Sequence, residues 1–477
     1  MSTLDFIVVI VYILIIFSIA FYIKGRISSF DDFMIADSKM GVALGVASMG
    51  GTELGLITVM YNAQQGWIGH FASFHIGFIA CIVTLTVGLS GFVIEKLRKL
   101  NVKSIPEFYN LRYDKNIRVL GAVFLVLGGI LNMGLFLKVG AVFLQSILGD
   151  IDLNLSMIMI VLLALVLFYT MMGGMLSVII TDYIQFVVLS LGLLLSVFFS
   201  ILTIGWDNIF NYFSKESSFN PTLNTNFGYD YIIWMIILGF VSCVIWPTAT
   251  TRALAMKDHN AVKKQYIWSS VSFLIRFIVP SFLGICAFVY FYGEGHSLGG
   301  MPSFLREILP VGVLGFVVAG MLSAFMSTHD SYLLCWSTII VNDVVSPLCP
   351  DMNSDKKIFL SRIIIVLLGI YILYWGIFYK GGGNIWGYLA ITGSIYFSGA
   401  ISLVVCGLYS KKVNVYGAYC SLFCGLFSLL GLAPIKDYLG IGLSQSSIGL
   451  GVLLISLIMM FLGSSLGNIL FKKEKKI

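Results

Sequence analysis

Apolar runs of about 20 residues recur along this chain from Asp5 to its C-terminus, with polar gaps between them. That repetition limits the fold more than any single motif, because in hydrocarbon every main-chain N–H and C=O needs a partner within the protein. Roughly 13 candidate helices follow, over 5–23, 40–60, 70–94, 117–147, 154–173, 176–205, 228–248, 265–292, 308–342, 358–379, 383–408, 413–433 and 446–471. Only 11% of the residues are charged, and the longest polar gap, Gly205 to Asp230, is too short to bury a core of its own. The expectation is an all-α polytopic membrane protein in which one membrane domain fills residues 1–477. The first run, LDFIVVIVYILIIFSIAFYI, has an acidic leading side and no small-residue cleavage site, so it reads as a retained span.

The net charge of +6 does not call for a nucleic-acid partner, because its placement has another cause. Lys24, Arg26 and Lys39 fall in the first gap, and Lys96, Arg98, Lys99, Lys103, Arg112, Lys115 and Arg118 in the third. Arg252, Lys257, Lys263, Lys264, Lys356, Lys357, Arg362, Lys411, Lys412 and the tail KKEKK continue the same side. The opposite gaps, such as Ala63 to Gly69 and Gly149 to Asn154, are nearly free of Lys and Arg. By the positive-inside rule the basic side is cytoplasmic, which places the N-terminus outside and the C-terminus inside. The eight cysteines sit mostly within apolar runs, without metal spacing, and read as packing residues.

One run departs from the rest. Met321 to Thr338, MLSAFMSTHDSYLLCWST, sets hydroxyls, a histidine and a carboxylate inside a segment of membrane length. At roughly 100° per residue, Ala324, Ser327 and Ser331 share a helix face, with Thr328 and Asp330 on its flanks. A stripe of oxygen atoms without sulfur or paired imidazole suits a hard cation. His329 points away from that stripe and reads as a helix contact.

Two runs are interrupted. Ser48 to Gly55, SMGGTELG, puts two glycines and a glutamate in mid-helix, which lowers helical preference and frees carbonyls. In the seventh run Gly239 and then Trp246-Pro247 disturb the helix near its cytoplasmic end. If each begins a five-helix unit, the units are 40–205 and 228–408, and an odd number of spans inverts one against the other. One extra N-terminal helix, 5–23, and two C-terminal helices, within 413–471, remain. Such a five-plus-five inverted-repeat core points to a secondary transporter whose site lies where the broken helices meet.

Four segments carry a resemblance to a known family: SMGGTELGLITV, SIPEFYNLRYDKNIRVLGAVF, GGMLSVIITDYIQ and LSAFMSTHDSYLL, together with the tract WPTATTRALAMKD. In order and spacing they resemble the sodium:solute symporter family, which includes proline, sugar, iodide, pantothenate and sialic-acid carriers of leucine-transporter-like fold. The resemblance implies a sodium ion between the first and eighth core helices, held by the carbonyls of Gly51, Leu54 and Ala324 and the hydroxyls of Ser327 and Thr328. It also implies a second position at Asp182, with Ser327, Asp330 and Ser331. Asp330 stands where a serine is more usual, so three readings stay open there: a sodium ion, a proton, or an Asp-to-Arg pair.

Glu53 lies in the broken run, where it could attract an amine, poise the sodium site, or cap the restarted helix. Lys138 and Arg276 are basic residues well inside spans, and leaving either unpaired at mid-membrane costs roughly 2.5–3.5 kcal/mol on insertion scales. Arg276 could bind a solute carboxylate or pair with Asp182, Asp330 or Glu53; Lys138 could snorkel to the outer surface or, with Arg276 and Glu53, bind the solute. Thr58, Tyr61, Trp67, Phe71 and His75 are further candidates for lining a solute cavity. Glycine-spaced faces, such as Gly134 and Gly140, call for nothing beyond close helix approach.

Together these readings predict a sodium-coupled carrier in the plasma or inner membrane, not an enzyme. It imports a small carboxylate or amino-acid-like solute with one or two sodium ions, and implies no partner beyond solute and lipid. A neutral sugar fits less well. Proton coupling through Asp182 and Asp330, or a sensor built on the same fold, are the alternatives.

Overall fold

A computed structural model describes residues 1–23, 40–149, 154–172, 175–378 and 385–470. Lys24, Arg26, Lys39 and the terminal KKEKK tract lie outside the described residues. Apart from a β-bridge between Met40 and Met256, regular structure among the described residues is helical. The helices used below are α1 (Thr3–Ile23), α2 (Val42–Glu53), α3 (Leu56–Gly69), α4 (Phe74–Ser90), α5 (Lys115–Leu148), α6 (Leu155–Met172), α7 (Met175–Ile204) and α8 (Gly228–Ile245). They continue with α9 (Pro247–Leu254), α10 (His259–Tyr290), α11 (Ser297–Ile308), α12 (Val313–Ile339), α13 (Ser354–Phe378), α14 (Ile385–Tyr409), α15 (Val415–Gly425) and α16 (Gln445–Leu470). Helix occupies each range expected from hydropathy, and nine helical stretches among the described residues are long and apolar enough to cross a membrane.

The first interruption falls later than the glycines suggest. Gly50 and Gly51 are helical, and the break comes at Leu54 (φ −91°, ψ 55°) and Gly55 (φ −75°, ψ 166°). Those two glycines serve a close approach instead, since a Cβ on Gly51 would press on the Asp182 carbonyl of α7 and one on Gly50 on Phe186. The stretch Ala63 to Gly69, expected as an outer gap, belongs to α3. Its glycine again explains the difference. A Cβ on Gly66 would overlap the Ser281 carbonyl of α10, and one on Gly284 would overlap the Ala63 carbonyl, so the two backbones touch at both points. The second interruption falls where expected: Trp246 is extended (φ −66°, ψ 124°) and Pro247 opens α9.

Helix α12 runs through the centre of the protein, with every residue from Val317 to Ile339 buried. Its N-terminus is capped from another helix, because Asp5 of α1 accepts from the N–H groups of Gly312 (2.7 Å) and Gly315 (2.9 Å). Farther along, Tyr12 of α1 bonds Ser323 (2.6 Å). Gly134 and Gly140 of α5 admit Trp375 and Phe325, as expected of close-approach positions.

Basic residues from separate gaps gather at one end. Arg98 donates to the Met256 carbonyl (2.8 Å), Arg112 to those of Gly407, Ser410 and Val413, and Arg118 pairs with Asp343 (2.9 Å). They satisfy carbonyls at helix ends, where a cation also opposes the helix dipole.

The α3–α10 contact makes a direct test. Gly284→Val forces the two backbones apart, and overpacking of this kind costs about 1–3 kcal/mol. The expected outcome is a lower thermal midpoint of the purified protein, with Gly451→Ala, where a Cβ meets open space, as the silent control.

Candidate functional site

The break between α2 and α3 seats directly against α12. The Ser327 hydroxyl lies 3.1 Å from the Gly51 carbonyl and 3.2 Å from that of Ala324. The Thr328 hydroxyl lies 3.0 Å from the Ala324 carbonyl and 3.4 Å from that of Thr52. Gly55 permits this, since a Cβ there would overlap Thr328 Oγ1. Leu54, at the break, turns its carbonyl out of the helical ladder. Of the five expected sodium ligands, Gly51, Ala324, Ser327 and Thr328 therefore form one oxygen cluster, with Leu54 beside it. The donor set is hard oxygen throughout, and Ser327 and Thr328 are buried, so it suits sodium chemically.

Asp182 of α7 lies behind this cluster, and its surroundings favour the third of the readings left open for it. Asp182 Oδ2 forms an ion pair with Arg252 Nη2 (3.0 Å) and accepts from Ser48 and Thr52 (3.0 Å each). Arg252 Nη2 also donates to Ser331 Oγ (2.7 Å), its Nε to Ser48 Oγ (3.1 Å), and its Nη1 to the Thr248 carbonyl (3.2 Å). Arg252, counted above among cytoplasmic loop charges, is only 1% exposed. The guanidinium is a tethered cation among Asp182 and Ser331, two of the four residues expected at the second position. Ser327 belongs to the first cluster, and Asp330, fully buried, keeps Oδ1 3.2 Å from Ser331 Oγ.

On the other side of α2 a cavity of about 1140 Å³, counting its open mouth, lies between α2, α3, α4, α5, α8, α10, α12 and α14. Glu53, Thr58 and Arg276 line it, as does Tyr61. Arg276 Nη1 pairs with Glu53 Oε2 (3.1 Å), and Thr248 donates to Glu53 Oε1 (2.9 Å). Glu53 is thus engaged by Arg276 and Thr248, and Gly55, the N-cap of α3, receives no side-chain cap. The Arg276 guanidinium also lies over the rings of Phe273 (4.6 Å) and Phe277 (4.8 Å). Pro280 cannot donate to the Arg276 carbonyl one turn back, and Asn62 Nδ2 approaches it instead (3.4 Å).

Other candidates stand away from this wall. His75 bonds the Ala72 carbonyl and packs on Phe227 (4.8 Å) at the N-terminal end of α4. Phe71 stacks on Phe219 (5.2 Å), and Trp67 packs on Phe288 (5.4 Å). Lys138 is not among the lining residues: two residues past Phe136, which lines the cavity, it lies roughly 200° round α5 and so on the opposite face. His329 is a helix contact, its Nδ1 2.9 Å from the Phe325 carbonyl. Sequence reasoning missed Arg252, Ser48, Thr52 and Thr248. A signal for Arg252 existed in PTATTRAL, a short run of small residues in which every position from Pro247 to Leu254 is buried.

Discontinuous helices meeting at a hard-oxygen cluster, beside a cavity between the helices, are the arrangement of an ion-coupled membrane transporter. The profile of the sodium:solute symporter family matches residues 33–425, and the chain belongs to that family. It is 25% identical over 390 residues to the sodium/sialic acid symporter NanT of Aliivibrio fischeri, covering 77% of this chain and 75% of that one. It is 27% identical over 461 residues to a sodium/glucose cotransporter of Vibrio parahaemolyticus, covering 88% and 83%. Among solved structures, a Na+-coupled sialic acid symporter in a substrate-bound outward-open state superposes with a TM-score of 0.85 at 19% identity, over 98% of both chains. That likeness establishes the fold. The protein is a multi-pass membrane transporter, not an enzyme.

Cutting the Asp182–Arg252 pair on one side leaves a buried charge uncompensated, which costs about 3–5 kcal/mol. Arg252→Ala is expected to lower the thermal midpoint more than Arg98→Ala does, and Asp182→Asn should restore part of that loss in the double variant. Independent, additive losses would show that the pair is not coupled.

Proposed function

We propose that this protein imports a small carboxylate-bearing, amino-acid-like solute together with sodium. The cluster of Gly51, Leu54, Ala324, Ser327 and Thr328 holds the ion, and the cavity beside Glu53 and Arg276 holds the solute. The observation that carries this reading is Thr328, which belongs to both: its hydroxyl lies in the oxygen cluster and it lines the cavity. A cation pulling Thr328 toward itself reshapes the wall that a solute meets, and a bound solute returns the effect by linkage.

The Glu53–Arg276 pair supports the carboxylate. Glu53 and Arg276 are the charged residues among those lining the cavity, and their side chains are 11% and 10% exposed. A solute carboxylate can take over Arg276, in bidentate geometry, while an amine takes over Glu53. The named relatives carry a sugar acid in one case and a neutral sugar in the other, so the solute class rests on this ion pair and not on likeness.

Transport follows alternating access, with units 40–205 and 228–408 as inverted repeats and the extra helices 5–23 and 413–471 outside them. The N-terminus faces outward and the basic end is cytoplasmic, in the cell membrane. Each sodium moved inward through 100 mV contributes about 2.3 kcal/mol. With Arg252 among Asp182 and Ser331, one sodium per cycle is the stoichiometry we assign.

Ser327→Ala with Thr328→Ala removes both hydroxyls of the cluster while the backbone carbonyls remain. The expected result in proteoliposomes is loss of sodium-stimulated uptake with folding intact; undiminished sodium dependence rules out this ion site. Wild-type uptake should depend on sodium with a Hill coefficient near one, and a value near two returns the second ion to Asp182. Arg276→Gln should weaken carboxylate binding by at least about tenfold, equivalent to about 1.4 kcal/mol, and unaltered affinity removes the carboxylate argument.

A further inference from the structure

Beside the ion pair, the cavity wall changes character. Phe136, Trp246, Tyr332 and Phe397 line it together. Trp246 lies 5.8 Å from Tyr332 and 5.2 Å from Phe397 between ring centroids, and Phe136 lies 5.3 Å from Tyr332. Trp246 Nε1 donates to the Tyr332 hydroxyl at 2.8 Å, so the indole donor is spent within the group and the rings present carbon. This aromatic group adjoins both functional elements. Thr248, two residues after Trp246, bonds Glu53, and Tyr332 lies one turn past Thr328.

The hydroxyls on the wall are occupied in a particular way. Thr58 donates to the Glu53 carbonyl (2.9 Å), Thr84 to that of Ala80 (2.8 Å), Ser242 to that of Gly239 (3.2 Å), and Thr328 to that of Ala324 (3.0 Å). Asn132 receives the Thr392 hydroxyl on its side-chain oxygen. The protons of Thr58, Thr84, Ser242 and Thr328 are committed to main-chain carbonyls, and that of Thr52, also on the wall, to Asp182 Oδ2, so these aliphatic hydroxyls meet a solute mainly as acceptors. A solute rich in hydroxyls needs donors and acceptors in alternation, and leaving its polar groups partly unmatched against a wall of aromatic carbon is costly. Aromatic faces favour the opposite partner, a flat or branched apolar group.

We infer that the solute is an amphipathic carboxylate, with an apolar body of aromatic or branched aliphatic type held by Phe136, Trp246, Tyr332 and Phe397 next to the Glu53–Arg276 pair. The inference rests on the reading of this cavity as the carboxylate solute site and narrows the class within it. Phe397 and Phe136 are then specificity-determining residues, and the carboxylate end is common to many substrates.

The test is binding of a matched panel to the purified full-length protein in sodium, by isothermal titration. 3-Phenylpropionate, phenylalanine and 4-methylpentanoate represent the apolar carboxylates; N-acetylneuraminate and glutamate are polar carboxylates; glucose is the neutral hydroxyl-rich member. The best apolar carboxylate should bind at least about tenfold tighter than N-acetylneuraminate, and Phe397→Leu should shrink that ratio severalfold. Phe136→Leu serves the same purpose if the first variant does not fold. Equal or tighter binding of N-acetylneuraminate or glutamate overturns the apolar assignment while leaving the carboxylate reading in place. Binding of glucose with no carboxylate bound overturns both, and binding of no panel member overturns the apolar assignment.

Discussion

The structure depends on how the Leu54–Gly55 break seats against Thr328. One helical turn of α2 serves three purposes because of it. The carbonyls of Gly51 and Thr52 face the hydroxyls of α12, the Thr52 side chain reaches Asp182, and Glu53 reaches Arg276. An unbroken helix would commit those carbonyls to its own ladder, and a side chain at Gly55 would hold α12 away. The cost of leaving main-chain groups unpaired in lipid is several kcal/mol each, so the break is tolerable only where a neighbouring helix supplies hydroxyls. Helix α12, buried from Val317 to Ile339, is that neighbour.

Two ion pairs bracket the same turn. Asp182–Arg252 lies on one side and Glu53–Arg276 on the other, and each is internally neutral. Isolated charges in so dry a place would carry a desolvation penalty that only a close partner offsets. Neutral pairing has a second effect, on coupling. On the proposed import mechanism, an arriving cation would bring a charge that these two pairs do not already balance, so the membrane potential would drive its inward movement. Arg252 matters here because it keeps a positive charge fixed against Asp182 and Ser331, the residues expected from the sequence at a second cation position.

The fold was legible in the sequence because lipid leaves few choices. Run length placed the helices except at Ala63 to Gly69, and Trp246-Pro247 marked one break through the fixed geometry of proline. Gly50 and Gly51 misled, since glycine signals both a weak helix and a close contact, and only the Asp182 carbonyl opposite Gly51 decides between them. The oxygen cluster was legible through the spacing of Ala324, Ser327 and Thr328 and through family likeness. Arg252 was not, because loop charges and buried charges look alike until a short buried helix such as α9 shows what surrounds them. Lys138 and His75 were misjudged as wall residues for a related reason: a helix position fixes the face, but the neighbouring helices decide whether that face meets a cavity.

The hydroxyls of Ser327 and Thr328 carry the last step of the argument. In this arrangement they donate to carbonyls on both sides of the α2–α12 contact, and those hydrogen bonds are the cross-link between the two helices. A cation in the cluster needs the same hydroxyl oxygens as acceptors, so each O–H must turn and the carbonyls it served become ligands. In the proposed site sodium would replace the hydrogen bonds as the cross-link. Its strength would then depend on the concentration of free ion on the side that the cluster faces, by the logarithm of occupancy. On that proposal the contact between α2 and α12 is firm where sodium is plentiful and weaker where it is scarce. Because Thr328 also faces the solute cavity, with Tyr332 one turn beyond it, that change reaches the solute without any longer pathway.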